Sequence, residues 1–378
     1  MLELYRFVLA VFVVQAHIPW SGASGPLSQH AVFSFYVLSG FLMTLILNET
    51  YGFGRDNFLR FWANRFLRLY PAYGVVIAIT VLHILLISPL TQLYGLIVLP
   101  HTVRGWVANL SMFGIAGFTT AQLSSAIFIP NAWSLSVELF CYLLLSIYFA
   151  RSRQRALAML FGGIVITVAE LARVIVQALP NYDFQNHYGV LQAGIIPFAA
   201  GSLAYFHRGS PLLRFSRVGV VALLLLWAAN CALTHVSEFH TFVSGLYVAV
   251  VINAFLVPKM FAFDAAHAKH PWVRVLGGIA YPIFVSHILI GTLAYRYLGF
   301  SRGGIDLLAI TLAATIGFSL AVHFGIERRL ETLRTLIKQP QWRSWLVRWR
   351  GSQRLPEPMP ARLTASAAGT VGQTTDAR

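Results

Sequence analysis

Two ionisable side chains frame the first apolar segment, MLELYRFVLAVFVVQAH. Arg6 precedes the apolar run and His17 closes it, eleven residues later. Eleven residues are close to three helical turns, so both side chains lie on one helix face, roughly 16 Å apart along the axis. An ionisable residue inside a bilayer is costly and indicates a functional site, and neutral imidazole can remove a proton from a hydroxyl group. The alternative is that Arg6 is a membrane-surface anchor and His17 an ordinary interfacial histidine.

Glu138 is the second candidate for catalysis. It follows Trp133 and Ser134 at the start of a later apolar segment. A carboxylate in apolar surroundings needs a proton or a partner. We predict that it lies in the same half of the bilayer as His17 and pairs with that ring. The alternative is a structural hydrogen bond between two helices.

Arg65 and Arg68 form the third group. They stand three residues apart in RFWANRFLRLYP and share a helix face. Guanidinium groups bind phosphates well, which predicts a site for an anionic substrate. The alternative is an ordinary basic loop at the membrane surface.

The composition specifies where these groups must operate. Of the 378 residues, 57% are hydrophobic and only 11% are charged, against about 25% charged in soluble domains. Such a chain cannot cover a globular surface with polar groups, which predicts an all-α polytopic membrane protein. The net charge of +15 is spread between apolar segments rather than forming a nucleic-acid-binding patch. Cys141 and Cys231 lie inside apolar runs without metal-ligand spacing, so we expect no metal and no bound cofactor.

A bilayer core requires roughly 20 apolar residues per helix. Ten such runs lie near 4–20, 30–48, 69–88, 132–150, 156–179, 188–206, 218–236, 241–262, 275–298 and 304–324. If both termini are cytoplasmic, all but four of the 28 lysines and arginines fall on the cytoplasmic side, as the positive-inside rule requires. The sequence therefore predicts about ten transmembrane helices with Arg6, Arg65 and Arg68 towards the cytoplasm and His17 and Glu138 in the outer half.

Three regions follow from this pattern. Residues 1–330 are the predicted membrane domain, in which the mixed stretch 89–131 includes a possible re-entrant or interfacial piece. Residues 331–350 are predicted to form a basic amphipathic helix on an anionic membrane surface. Residues 351–378, rich in Pro, Ala and Thr, are predicted to be a disordered tail.

Taken in order, these motifs resemble the acyltransferase type 3 family, integral membrane enzymes that include O-acetylases of O-antigen and exopolysaccharide. The resemblance covers about residues 2–330. Its elements are Arg6 and His17, the FSFYVLSGFL stretch at 33–42, Arg65 and Arg68 before Tyr70-Pro71, Trp133-Ser134-Leu135 with Glu138, Tyr281 with His287, and Glu327-Arg328. Asn64 stands where many members carry the first arginine of a pair.

The resemblance implies an acyl-CoA donor, expected to be acetyl-CoA, on the cytoplasmic side. It also implies an acceptor hydroxyl on an extracytoplasmic or lipid-linked carbohydrate such as O-antigen or exopolysaccharide. Arg6, Arg65 and Arg68 would bind the donor, and Ser39, Trp133, Ser134, Tyr281 and His287 would be pocket or structural residues. The expected location is the inner (plasma) membrane of a bacterium, and the expected partners are acyl-CoA, the glycan acceptor and the lipid bilayer, without nucleic acid.

For the reaction we expect His17 to act as general base towards the acceptor hydroxyl, with Glu138 orienting the ring and stabilising the imidazolium. A variant in which His17 carries the acyl group transiently stays open. The rival function is a transporter or flippase for an amphipathic glycan or lipid, which would use the same charges as a path without covalent chemistry. A membrane scaffold or sensor without chemistry would leave His17 and Glu138 unexplained.

Overall fold

The predicted all-helical fold is confirmed. A computed structural model describes residues 1–18, 27–118, 126–176, 188–236, 239–268, 270–339 and 342. These residues form α-helices with short 3₁₀ and π turns, and none of them belongs to a β-strand. The helices are α1 Leu2–His17, α2 Leu27–Ile46, α3 Arg55–Leu86, α4 Val103–Ser111, α5 Trp133–Ile147, α6 Arg153–Val176, α7 Ile195–Phe206, α8 Arg217–Val236, α9 Phe239–Ala266, α10 Pro271–Leu298, α11 Ile305–Val322 and α12 Arg328–Ile337.

Each of the ten predicted apolar segments overlaps one of these helices, although α3 begins at Arg55, well before the predicted start at residue 69. Within the described ranges, eight helical stretches are long and apolar enough to cross a membrane. The helices in the first and sixth predicted segments are shorter than these eight: α1 has 16 residues, and the apolar helix Leu191–Phe206 falls between 10 and 17 residues. The chain is therefore an all-α polytopic membrane protein, while ten spans and cytoplasmic termini stay predictions.

The outermost helices expose apolar side chains. Phe161 and Val168 on α6 are 69% and 59% exposed, and Leu225 and Leu233 on α8 are 66% and 70% exposed. Large apolar patches of this kind need an apolar solvent or a partner. These faces suit contact with lipid, and they leave the interior to the helices that carry the candidate site.

Helix α2 packs in the centre, against α1, α5, α7 and α9. Its approach to α7 depends on glycine: a Cβ added to Gly40 would lie 2.3 Å from the Phe198 carbonyl oxygen, and one added to Gly201 would lie 2.0 Å from that of Val37. Small residues allow membrane helices to approach backbone to backbone. This contact fixes the position of α2, which lines the candidate site.

A buried polar network anchors the short helix α1. The Tyr5 hydroxyl donates to Oδ1 of Asn253 on α9 over 2.6 Å, and Nδ2 of Asn253 donates to Oγ of Ser34 on α2 over 2.9 Å. Nε1 of Trp227 on α8 donates to the same Oγ over 3.0 Å. Because their polar groups find partners, these residues join four helices without leaving a buried donor unpaired. The network holds the helix on which Arg6 and His17 lie.

The region after α11 is a continuous helix rather than a separate element. A π turn at His323–Glu327 joins α11 to α12, so the predicted domain boundary after residue 330 falls inside α12. Helix α12 is attached to α3: Nδ2 of Asn64 donates to the Arg334 carbonyl oxygen over 2.8 Å, and Nε of Arg60 donates to that of Ile337 over 3.1 Å. Residues 340–341 and 343–378, with the predicted 351–378 tail, lie outside the described residues.

The mixed stretch 89–131 contains the short helix α4. Asn109 is its main attachment: Nδ2 donates to the Ala126 carbonyl oxygen over 2.9 Å, and Oδ1 accepts the Phe128 amide over 2.8 Å. The Tyr73 hydroxyl of α3 donates to the Asn109 carbonyl oxygen over 2.6 Å. These bonds hold α4 against α3; residues 119–125 of this stretch lie outside the described ranges.

Candidate active site

A cavity of about 870 Å³ lies between α1, α2, α3, α5, α10 and the turn from α11 to α12. Its lining on α2 extends from Val32 to Ile46, and fourteen residues of helix correspond to roughly 21 Å. On α10 the lining extends from Pro271 to Phe284. A bilayer core is about 30 Å thick. The cavity is therefore long enough to extend through most of such a layer.

One end of the cavity is cationic, and we call it the basic end. The described lining residues include six arginines and four glutamates: Arg6, Arg65, Arg68, Arg274, Arg328 and Arg334 with Glu3, Glu138, Glu327 and Glu331. Predicted donor-binding residues from two helices, α1 and α3, thus meet in one space. The excess of positive charge in a partly enclosed site favours an anionic ligand.

Arg6 and Arg68 are each paired with a carboxylate. The Arg6 guanidinium lies 3.6 Å from Glu3 on the same helix. The Arg68 guanidinium lies 3.3 Å from Oε2 of Glu327, which also contacts Nδ1 of His323 over 3.3 Å. Glu327 is 5% exposed, and its other oxygen has no hydrogen-bond partner among the described residues. Arg68 therefore both neutralises a buried carboxylate and lines the cavity.

Arg65 and Arg334 are held less completely. Arg65 donates to Oδ1 of Asn64 over 3.3 Å and packs over the Phe61 ring, but its Nε has no hydrogen-bond partner within the described chain. Nε of Arg334 is likewise buried without a partner there. Two guanidinium groups with unused donors line the same cavity and can bind an oxyanion bidentately.

Glu138 lies in the wall of this cavity, on α5. Its Oε1 accepts a hydrogen bond from Oγ of Ser39 over 2.7 Å and another from the Tyr142 hydroxyl. Tyr142 follows Glu138 by one helical turn, and Ser39 comes from α2. The two hydroxyl donors hold the carboxylate in the lining of the cavity.

The remaining predicted pocket residues frame the cavity. Oγ of Ser134 donates to the Asn131 carbonyl oxygen over 2.9 Å, which ties the first turn of α5 to the preceding 3₁₀ turn. The Trp133 ring packs edge-on against Tyr188, with centroids 4.8 Å apart. The Tyr281 hydroxyl donates to the Leu69 carbonyl oxygen over 3.0 Å and joins α10 to α3. Ser134 and Tyr281 line the cavity and also hold its helices together.

His17 lies beside His287, at the last residue of α1. The two ring centroids are 5.1 Å apart, and the Tyr94 ring is 6.3 Å from that of His17. Nδ1 of His17 lies 2.8 Å from the Val13 carbonyl oxygen, which can only accept. Nδ1 therefore donates, and Nε2 carries the lone pair. The Tyr94 hydroxyl donates to the backbone oxygen of His17 over 2.7 Å and fixes the end of the helix.

The predicted pairing of His17 with Glu138 is therefore not formed. The hydrogen bonds of Glu138 go to Ser39 and Tyr142, and the ring of His17 is oriented by its own backbone. Phe284 lines the same cavity as Glu138, and its ring centroid is 6.3 Å from that of His287. His287, one helical turn beyond Phe284, is the histidine's neighbour instead of the carboxylate.

Three residues of this arrangement escaped the sequence analysis. Tyr142 stands four residues after Glu138, a spacing that could have predicted its hydrogen bond. Arg334 resembles the other basic residues of the C-terminal segment, and Tyr94 lies in a stretch without periodicity. Neither carries a sequence signal that separates it from its neighbours.

Comparison with known proteins identifies the family. The family model described as an acyltransferase domain, that of the acyltransferase type 3 family, matches residues 2–324. The comparisons with curated proteins and with solved structures give no match. The matched range contains the cavity's helices up to the π turn after α11, including Arg6, His17, Arg65, Arg68 and Glu138. The chain belongs to the acyltransferase type 3 family and is a membrane O-acyltransferase that transfers groups other than amino-acyl groups.

Proposed function

We propose that the protein transfers an acyl group, acetyl in the simplest case, from a cytoplasmic acyl-CoA to a hydroxyl of an extracytoplasmic or lipid-linked carbohydrate such as O-antigen or exopolysaccharide. The observation that carries this proposal is the single cavity that begins among Arg6, Arg65 and Arg68 and ends at Phe284, beside His287. The multi-pass chain would lie in the inner (plasma) membrane of a bacterium, with the basic end facing the cytoplasm.

The basic end suits the donor. The phosphates of a coenzyme A thioester carry several negative charges, and charge-assisted hydrogen bonds from guanidinium groups to phosphate are roughly twice as strong as neutral ones. Arg6, Arg65 and Arg68 would bind these phosphates, with Arg334 as a further cation from α12. The narrow pantetheine arm would then extend along α2 and carry the thioester past Glu138 towards Phe284.

His17 suits the acceptor side. The Val13 carbonyl fixes its tautomer, so that Nε2 is the basic nitrogen. A sugar hydroxyl is a weak nucleophile until a base takes its proton during attack, and such proton transfer contributes roughly 10²–10⁴-fold in rate. In the proposed reaction the hydroxyl oxygen attacks the thioester carbon, the carbon–sulfur bond breaks, and the proton passes through His17 to the departing sulfur.

Glu138 would act from the donor side. Its carboxylate is held by two hydroxyl groups in the cavity wall, between the arginines and Phe284. From that position it can orient the thioester or stabilise positive charge, although it does not touch the His17 ring. The variant in which Nε2 of His17 first accepts the acyl group remains compatible with the same tautomer.

The test uses proteoliposomes with the basic end outward and glycan acceptor enclosed. Acyl-radiolabelled acetyl-CoA is supplied outside, and label in the glycan is measured together with free thiol. We expect the wild type to transfer label and His17→Ala to lose transfer by at least 100-fold. His267→Ala is the matched control, because His267 is exposed and stacks on Phe263 away from the cavity.

Two outcomes would contradict the proposal. Near-normal transfer by His17→Ala would show that His17 is not the general base. Passage of glycan across the bilayer without thioester cleavage, in wild type and variant alike, would refute the proposed transfer. Acyl label bound covalently to the wild-type protein, absent from His17→Ala and then transferred to glycan, would instead establish the acyl-carrier variant.

A further inference from the structure

The two neighbouring histidines, His17 and His287, are held in the same tautomer. His287 on α10 has no exposed surface, and its Nδ1 lies 3.1 Å from the Ile283 carbonyl oxygen. As in His17, the carbonyl can only accept, so Nδ1 of His287 must be the nitrogen that carries hydrogen. Both rings therefore present Nε2 as a hydrogen-bond acceptor.

Nε2 of His287 is buried and has no hydrogen-bond partner among the described residues. The nearest aromatic neighbours cannot supply one: Phe284 has no donor, and the Tyr94 hydroxyl already donates to the backbone of His17. A buried acceptor left unpaired destabilises the fold, and such groups are rare unless they serve a function. A hydrogen-bond donor that forms during the reaction would satisfy this nitrogen.

The neighbour of His287 suggests where that hydrogen comes from. The ring centroids of His17 and His287 are 5.1 Å apart with the planes tilted by 51°. Two neutral acceptor nitrogens cannot bond to one another. Once either ring gains a proton, however, its new N–H can donate to the lone pair of the other, and a buried hydrogen bond to a charged donor is strong.

Resting on the proposed function, we propose that His17 and His287 share the single proton released by the acceptor hydroxyl. The hydroxyl's O–H bond breaks as its oxygen bonds to the acyl carbon, and the proton moves to Nε2 of His17. Nε2 of His287 accepts a hydrogen bond from the resulting imidazolium. The proton then leaves with the thiol as the carbon–sulfur bond breaks, which returns both rings to the neutral state.

His287 is thus a positioning residue: it acts through His17 and has no contact with the cavity itself. The role that a carboxylate has in a catalytic triad would be divided here. The Val13 carbonyl sets the tautomer of the base, and His287 stabilises its protonated form. A neutral partner suits an apolar interior, because no second charge has to be buried.

The test compares three substitutions in the proteoliposome assay. His287→Gln keeps an acceptor oxygen near the position of Nε2, whereas His287→Leu keeps the volume and removes the acceptor. His287→Asn keeps an amide that is too short to reach His17. We expect kcat to fall about 100-fold in the Leu and Asn variants and less than tenfold in the Gln variant. The KM for acetyl-CoA should be unchanged in all three.

A structural role would give a different pattern. Equal activity of the Gln and Asn variants, or a rise in donor KM that parallels the loss of kcat, would overturn the inference. If His287→Leu does not insert, the Gln and Asn variants alone decide, since both carry an amide and differ only by one methylene group. If the wild type transfers label and the Gln and Asn variants do not differ, only the shared proton is refuted. If the wild type transfers no label, the proposed function is refuted, and the inference with it.

Discussion

Neutralising the buried Arg68–Glu327 pair separates the two roles of Arg68. The side chains are 15% and 5% exposed, and their closest atoms are 3.3 Å apart. Removing one partner of a buried ion pair leaves an uncompensated charge and costs about 3–5 kcal/mol, whereas replacing both is often close to neutral. We therefore expect Arg68→Gln or Glu327→Gln alone to lower the free energy of unfolding by about 3 kcal/mol, and the double variant to lie within about 1 kcal/mol of wild type.

Donor binding should follow a different rule. A charged hydrogen bond to a phosphate contributes about 1.5–3 kcal/mol, or roughly 10- to 100-fold in affinity. The double variant would recover stability but not that contact, so its acetyl-CoA KM should stay raised by at least tenfold. Stability is measured by unfolding in mixed micelles, and KM by thiol release in proteoliposomes.

The exposed pair Arg208–Glu49 provides the matched control. Its atoms are 2.7 Å apart, but the side chains are 37% and 46% exposed. Exposed pairs contribute about 0–1 kcal/mol, so neutralising either residue should change neither stability nor KM measurably. A double Arg68/Glu327 variant as unstable as the single ones would refute the charge argument. One with wild-type KM would remove Arg68 from the donor site.

Two further changes test the cavity and the packing around it. Arg334→Gln should raise the acetyl-CoA KM about tenfold with little change in stability, because its Nε has no hydrogen-bond partner to lose among the described residues. Arg329→Gln, on an exposed position of α12, is the control, and equal KM values would contradict the assignment. Gly201→Leu should prevent assembly of α2 with α7, since a Cβ would lie 2.0 Å from the Val37 carbonyl oxygen. Size-exclusion chromatography in detergent would show aggregation, whereas Gly209→Leu, with open space around its Cα, should elute as wild type does.

Much of the architecture could be predicted because hydropathy and helix periodicity are local properties. The apolar runs predicted the helices. The spacing of Arg65 and Arg68 predicted that they share a helix face, and both line the cavity together with Arg6. The neighbours of a helix are not local. His17 and Glu138 were expected to meet because they share a depth, but depth does not specify which helices are adjacent.

The same reason explains the residues that the sequence did not indicate. Asn64 looks like the loss of a cation, yet its amide holds the backbone of Arg334, which places another guanidinium in the cavity. His287 is expected from the sequence to be a pocket or structural residue, and its proposed role depends on an Nε2 that has no hydrogen-bond partner among the described residues. Only tertiary contacts assign these roles.

The length of the cavity has a consequence for the membrane as an electrical insulator. Because its lining reaches Phe284, only about one helical turn separates it from His287, whereas the intact hydrocarbon layer is about 30 Å thick. The Phe35 and Phe284 rings, with centroids 6.5 Å apart, line this end of the cavity. Under the proposed function, these two rings would separate the cavity from the histidine pair and so limit proton leak across the membrane.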